Sequence, residues 1–318
     1  MKILGIESSH DDASVALLDN DSIVVMTSYS QIDIHAQFGG TIPEVASREH
    51  IKNFAFILED LKSKGIDFTI VDAIAYTKEP GLLGSLQVGF LFASALAMFY
   101  NKPLIPINHL HGHFWSAAIE QNLKFPVLGL LLSGGHSQFI LAKTPFNLEI
   151  VGTTQDDALG EIYDKIARKL GLGFPGGPKI DKLNQEFTLN SSELINFTIP
   201  GQNPEFLLNF SFSGLKTQVI NYIHKNKDKL DSKMQKNIAI SFQKTIIKYL
   251  KNKINLALEI YPEIQTLTLM GGVAANLEIR QLIKSYEQLN TVVPKMQYCT
   301  DNGAMIAKAA QMKLVEEN

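Results

Sequence analysis

The chain of 318 residues opens in the same way twice. Residues 2–7 are strand-like and run into the polar turn Glu7-Ser8-Ser9-His10-Asp11-Asp12. Two more strand-like runs follow at 13–18 and 22–29, separated by Asp19-Asn20-Asp21. Much later, the apolar run 127–132 ends in Ser133-Gly134-Gly135-His136-Ser137, and the chain returns as a strand over 138–143. Such β-rich runs bounded by turn residues read as strands. After the first opening come a helix from about Pro43, a strand at 71–76, an apolar helix ending near Tyr100 and a strand at 104–108. The second is followed by a helix over 157–170, a hard break at Pro175-Gly176-Gly177-Pro178 and a long helix over 233–261. It closes with a strand at 266–270 ending in Gly271-Gly272, a helix from Ala275, a strand at 291–298 and a last helix from Asn302. A chain of this kind is a duplicated α/β protein, its two halves facing each other across a cleft.

Composition narrows the setting. Hydrophobic residues make up 45% and charged residues 19%, enough apolar material for real cores. Residues 82–100 form the most apolar window, but Gly84, Gln87 and Gly89 interrupt it, so it is expected to be a buried helix with no membrane role. The N-terminus lacks the pattern of a secretory signal. One cysteine, Cys299, excludes an internal disulfide and fits the cytoplasm. The net charge is −3, yet ten lysines fall between Lys216 and Lys253 against Asp228 and Asp231 alone. That stretch is a candidate surface for an acidic partner such as RNA, or simply a solvated helix face.

The sharpest local signal is His109-Leu110-His111-Gly112-His113. Residues four apart share a helix face, so His109 and His113 can grip one metal ion, or be two surface histidines. A zincin peptidase requires Glu directly after the first His, and Leu110 stands there. A third ligand is expected from Asp301, whose other reading is a helix N-cap. The turns at 133–135 and 271–272 can bring backbone N–H groups to a phosphate, or serve as ordinary tight turns. Asp11, which could orient a substrate or hold a second cation, and Asp164, which could accept from a ribose hydroxyl, are the acid candidates, unless they are surface acids.

Together these segments resemble one family. Gly5-Ile6-Glu7-Ser8-Ser9-His10-Asp11-Asp12 resembles a GIETSCDD opening, and residues 38–48 resemble YGGVVPELASR. The resemblance continues through Pro80-Gly81-Leu82-Leu83-Gly84-Ser85, the His109/His113 pair, the turn from Leu132 to Ser137, residues 157–165 and Pro175-Gly176-Gly177-Pro178. Residues 210–217, Gly271-Gly272-Val273-Ala274-Ala275-Asn276 and Cys299-Thr300-Asp301-Asn302-Gly303 complete it. The chain is thereby identified as a member of the universal tRNA threonylcarbamoyladenosine transferase family, once described as sialoglycoprotein endopeptidases.

The resemblance implies a duplicated actin-like, sugar-kinase-like ATPase fold, with two subdomains around a nucleotide cleft. The first would span 1–108, completed by a helix at 302–318, and the second 109–301. It implies transfer of threonylcarbamoyl from threonylcarbamoyl-AMP to N6 of the adenosine 3′ of the anticodon in ANN-decoding tRNAs. His109, His113 and Asp301 would hold one divalent ion, iron or zinc, with Mg2+ a possible companion of the nucleotide. Leu131, Leu132, Ser133, Gly134, Gly135, Asp164, Gly177, Asp181 and Asn276 would hold the adenylate, and Asp11 would assist transfer. Expected partners are tRNA, an inactive TsaB-like paralogue, a small TsaE-like ATPase and a TsaC-like synthase that supplies the adenylate. The sequence departs from the family at His10, a cysteine elsewhere, at Asp12 and His111, where Glu is frequent, and at Lys78-Glu79 before Pro80. The rival readings are a small-molecule kinase or ATPase of the same fold, a nucleotide-binding scaffold, and a metallopeptidase, which the missing base beside His109 disfavours.

Overall fold

The computed structural model describes all residues except 146, 188, 191–192, 200, 202–205 and 318. The chain forms two compact units, Met1–Leu123 with Pro294–Asn318, and Lys124–Val293.

In the first unit, β1 (Lys2–Glu7), β2 (Asp12–Asp19) and β3 (Ser22–Ser30) form an antiparallel meander. β4 (Ala73–Glu79) joins β1 in parallel and β5 (Leu104–Asn108) joins β4. The sheet order is β3-β2-β1-β4-β5. A short helix, α1 (Ile32–Ala36), precedes α2 (Pro43–Ser63), whose Pro43 sits at the start where its missing N–H costs nothing. α2 buries Ala46, His50, Phe54, Ile57 and Leu61, while Ile51 faces outward.

The helix expected to be buried is α3 (Leu83–Tyr100), and it is buried on one side only. Ser85, Gly89, Ala93 and Ala97 line that side at intervals of four residues. These small residues let the helix lie close to the sheet: a Cβ on Gly89 would come within 1.9 Å of Ser8 Oγ. The large apolar residues are thereby turned away, and Met98 and Phe99 are 84% and 81% exposed. By length and composition α3 could cross a membrane, the one such helix among the described residues.

α4 (His109–Ser116) follows β5 directly, and α10 (Gly303–Glu317) returns to pack on β1 and α4. That contact keeps residues 109–123 in the first unit, so the boundary expected at 108/109 falls after Leu123.

The second unit repeats the plan. β6 (Val127–Leu132), β7 (Ser137–Thr144) and β8 (Asn147–Thr153) form the meander; β9 (Thr266–Met270) and β10 (Asn290–Val292) add in parallel, giving β10-β9-β6-β7-β8. β1 through β5 thus correspond to β6 through β10. Sequence reading missed β8. It also drew β10 too long: Pro294 has no N–H for a ladder, and residues 296–298 form a 3-10 turn. Between the strands lie α5 (Leu159–Lys169), α6 (Gly176–Glu186), α7 (Ser213–Lys225), α8 (Ser232–Ile260) and α9 (Leu277–Lys284). The break at Pro175 is the start of α6: Pro175 is the N-cap residue, in extended backbone, and the helix begins at Gly176. Phe139, Phe210, Phe212 and Tyr249 pack their rings together in this unit's core.

Candidate metal centre and nucleotide turns

In open α/β sheets the carboxyl ends of the strands gather the ligand loops. In the first unit that edge carries Glu7 at the end of β1, Thr77 near the end of β4, and Asn108 at the end of β5. The Asn108 side chain caps α4 by accepting from Leu110 N–H at 2.8 Å. This starts the helix at His109 and puts His113 one turn on. Both are buried, whereas His111 is exposed, off their shared face. The two rings stand edge to face, 4.5 Å between centroids.

Asp301 arrives from the other end of the chain. It is not the cap of α10, the alternative that sequence left open; Asn302 Oδ1 does that work, accepting from Met305 N–H at 3.0 Å. Asp301 Oδ1 lies 3.2 Å from His113 Nε2 and 3.7 Å from His109 Nε2. Its placement depends on two glycines. A Cβ on Gly303 would sit 2.5 Å from the Gly5 carbonyl and from Ala16 N, so only glycine lets α10 start against β1 and β2. Ser14 Oγ also accepts from Gly303 N–H at 2.9 Å.

One ligand atom from each of His109, His113 and Asp301 falls within 4.8 Å of the others. Two imidazoles and a carboxylate suit iron or zinc and leave coordination positions open. The residues fit such an ion on a second count. Both ring nitrogens of His113 are buried without a hydrogen-bond partner, although Nε2 faces Asp301. Buried polar atoms are ordinarily satisfied, and an ion would satisfy this one. Burial disfavours a charged His109, but Glu7 and Asp301 outweigh it and raise the ring to about 9. Burial likewise opposes ionisation of Asp301, yet His109 and His113 hold it well below the usual carboxylate range.

The β1–β2 turn lies beside this group. His10 Nδ1 is 2.7 Å from Asp11 Oδ1, and Thr41 Oγ donates to Asp11 Oδ2 at 3.3 Å. Burial pushes Asp11 upward, but the His10 bond prevails and lowers it. His50 Nε2 meets the His10 carbonyl at 2.9 Å and pins the turn to α2. Sequence reading gave no role to Asp12 or Glu7. Burial pushes Asp12 up to about 7. Glu7 is fully buried, which its place at the end of an apolar strand signalled.

The nucleotide candidates are all in the second unit. Leu131 and Leu132 end β6, and Ser133 Oγ accepts from Gly135 and His136 N–H groups to shape the turn. A Cβ on Gly134 or Gly135 would meet nothing within 4 Å, so these glycines are not demanded by packing. Gly160 is demanded: a Cβ there would come 2.7 Å from the Ser133 carbonyl oxygen. Gly271, at φ +87°, has no room for a side chain against the Leu132 carbonyl. Asp164 accepts from Gly176 N–H at 2.6 Å, beside Gly177. Asp181 Oδ2 accepts from Leu277 N–H and Gln185, while its buried Oδ1 has no partner. Asn276 caps α9 and pairs with Gln243, so much of its capacity is committed.

A family model described as tRNA N6-adenosine threonylcarbamoyltransferase, TsaD, matches residues 22–308. The chain belongs to the TsaD family. A Mesomycoplasma hyopneumoniae protein named tRNA N6-adenosine threonylcarbamoyltransferase is 61% identical over 319 residues, covering 99% of this chain and 98% of its own length. Relatives of the same name from Mycoplasmopsis agalactiae and Mesoplasma florum are 50% and 45% identical, each alignment covering both chains fully. Among solved structures, full-length HypF in a phosphate- and nucleotide-bound form superposes with a TM-score of 0.62 at 15% identity, over 99% of this chain and 46% of HypF. The ADPNP-bound activator of 2-hydroxyisocaproyl-CoA dehydratase from Clostridium difficile gives 0.56 at 13% identity, over 100% and 96%. This TsaD family member therefore has the duplicated fold of the actin-like and sugar-kinase-like ATPases.

Proposed function

We propose that the chain transfers a threonylcarbamoyl group from threonylcarbamoyl-AMP to N6 of the adenosine 3′ of the anticodon in ANN-decoding tRNAs. The observation that carries this reading is identity of 61% along the whole chain to a relative named for the transfer. In the reaction N6 attacks the carbamate carbonyl carbon, a C–N bond forms, the bond to the phosphate oxygen breaks, and AMP leaves with the electron pair. N6 loses a proton. Because the donor is already activated, positioning supplies most of the acceleration.

His109, His113 and Asp301 would hold one divalent ion, iron or zinc, which would supply Lewis-acid polarisation of donor oxygens. The open turn at Ser133, Gly134 and Gly135, after Leu131 and Leu132, would offer backbone N–H groups to the adenylate phosphate. Asp164, Gly177, Asp181 and Asn276 would hold its nucleoside part; the free Oδ1 of Asp181 suits a ribose hydroxyl. Any Mg2+ would travel with the nucleotide. Asp11 is ionised and held by His10 and Thr41, which suits orienting the threonyl group better than taking a proton.

The tRNA is the acidic partner for the lysine-rich α7–α8 stretch. Five of its ten lysines are engaged: Lys216 with Asp157, Lys233 with Glu193, Lys244 with Glu278, Lys236 over the Phe187 ring, and Lys253 with the Leu207 carbonyl. Lys225, Lys227, Lys229, Lys248 and Lys251 are exposed and would carry the contact. The outward apolar face of α2 and α3, with Phe56, Leu91, Met98 and Phe99, would take an inactive TsaB-like paralogue. A TsaE-like ATPase and a TsaC-like synthase would complete the system in the cytoplasm.

The test is transfer of labelled threonylcarbamoyl to an ANN-decoding transcript by the assembled system. Modification that disappears with His109→Ala supports the reading. No modification by the intact, metal-loaded assembly overturns it and favours a small-molecule kinase of the same fold.

A further inference from the structure

We propose that Glu7 is a positioning residue for the metal centre: it fixes which nitrogen of His109 carries a proton and so presents the other to the ion. The inference rests on the metal reading above and adds a fourth side chain to it, one that touches no ion.

The geometry begins with the sheet. Glu7 ends β1, Thr77 lies near the end of β4, and His109 follows β5, so three neighbouring parallel strands deliver these side chains to one edge. The Glu7 carboxylate is completely buried. Its Oε1 accepts from Ser9 N–H at 2.5 Å. Its Oε2 accepts from Thr77 Oγ at 2.6 Å and lies 3.2 Å from His109 Nδ1. The carboxylate is thus clamped at both oxygens before it meets the ring. An ionised carboxylate can only accept, so Nδ1 is the nitrogen that bears hydrogen. With Nδ1 keeping its hydrogen toward Glu7, Nε2, which faces Asp301 Oδ1, is the nitrogen that gives up its proton to present a lone pair to an ion. A carboxylate behind a metal-binding imidazole fixes its tautomer and strengthens it as a ligand.

Stability alone is a poor reason to keep this arrangement. Burying a carboxylate against a charged imidazole ring takes both out of water at a cost, and well-packed apolar residues of similar volume often serve stability as well. The second histidine lacks such support, since His113 Nδ1 has no hydrogen-bond partner. Orientation of the pair is therefore built asymmetrically, with Glu7 serving one ring.

The full-length protein with Zn2+ as probe tests this. Wild type, Glu7→Gln and His109→Ala are titrated against a zinc indicator, and histidine is labelled with 15N to read ring tautomers, His109 being assigned from its loss in the alanine variant. Glu7→Gln is expected to bind Zn2+ about 10- to 100-fold more weakly, with its melting transition retained. The wild-type spectrum is expected to show His109 bound through Nε2 with a protonated, downfield Nδ1, a signal that moves in Glu7→Gln. Unchanged affinity with an unmoved resonance overturns the proposal, as does a wild-type ring bound through Nδ1. If Glu7→Gln fails to fold, the wild-type tautomer decides. Failure of the metal reading itself looks different: wild type would not bind Zn2+, or would bind it equally after His109→Ala.

Discussion

His113 and Asp12 show two ways in which a side chain can be held against its own preference. His113 has two buried nitrogens without partners, and Asp12 is a carboxyl raised to about 7 by burial. For Asp12 the consequence is a dependence of stability on pH. Because the native state keeps the proton that an unfolded chain releases near 3.8, stability is greatest below that pH and falls as pH rises toward 7. Asp12→Asn in EDTA-treated protein is expected to melt higher than wild type at pH 8, the gain shrinking to nothing near pH 4; equal melting at pH 8 would refute it. Asp157 has the opposite sign. Burial would raise it, but bonds from Lys165, Lys216 and Ser213 lower it to about 2. Its contribution, on the order of 1–2 kcal/mol, is present above pH 4 and lost as pH falls toward 2. Asp157→Asn should therefore destabilise at pH 7 and lose that difference in acid, as denaturant titrations at several pH values would show. Of these residues the sequence revealed the pair His109 and His113, because a four-residue spacing is a property of the helix itself. The burial of Glu7 was legible from its apolar strand, but its partners Thr77 and His109 were not, because they come from elements distant in the chain, and nothing local marked the burial that raises Asp12.

At the scale of elements, glycines sort into those the fold needs and those it does not. Gly303→Ala would drive a methyl group into the backbone of β1 and β2, and is expected to cost at least about 2 kcal/mol. It should also weaken metal binding with no ligand altered, since Asp301 moves with the start of α10. Gly134→Ala is expected to leave melting unchanged, because a Cβ there meets nothing, while weakening the binding of an adenylate analogue. If Gly134→Ala bound the analogue normally, the turn would not approach the phosphate. Most elements could be read from turn residues and apolar runs. β8 and α7 could not: β8 is an edge strand with mixed polar faces, and α7 follows the Phe210-Ser211-Phe212-Ser213 segment, whose alternation imitates a strand. α3 was legible as a helix but not in its exposure, since only the stripe of small residues decides which side meets the sheet.

At the scale of the whole molecule, duplication was visible in the two matching openings, and the sheet orders repeat it strand for strand. The boundary was harder to see, because α4 looks like the start of something new after β5 until α10 packs on it. Surface chemistry divides the same way. Reversing Lys225, Lys227, Lys229, Lys248 and Lys251 together should weaken tRNA binding and flatten its salt dependence, each lost phosphate contact reducing the slope by about 0.7–0.9. Unchanged binding would leave those lysines as solvent-facing residues only. The first unit is assembled from both ends of the chain, Met1–Leu123 and Pro294–Asn318. This sets an order of events on the ribosome. His109 and His113 are translated before the second unit, and Asp301 after it. A nascent chain arrested before Asp301 would lack one of the three proposed ligands, so the proposed centre would be complete only after the second unit has been translated.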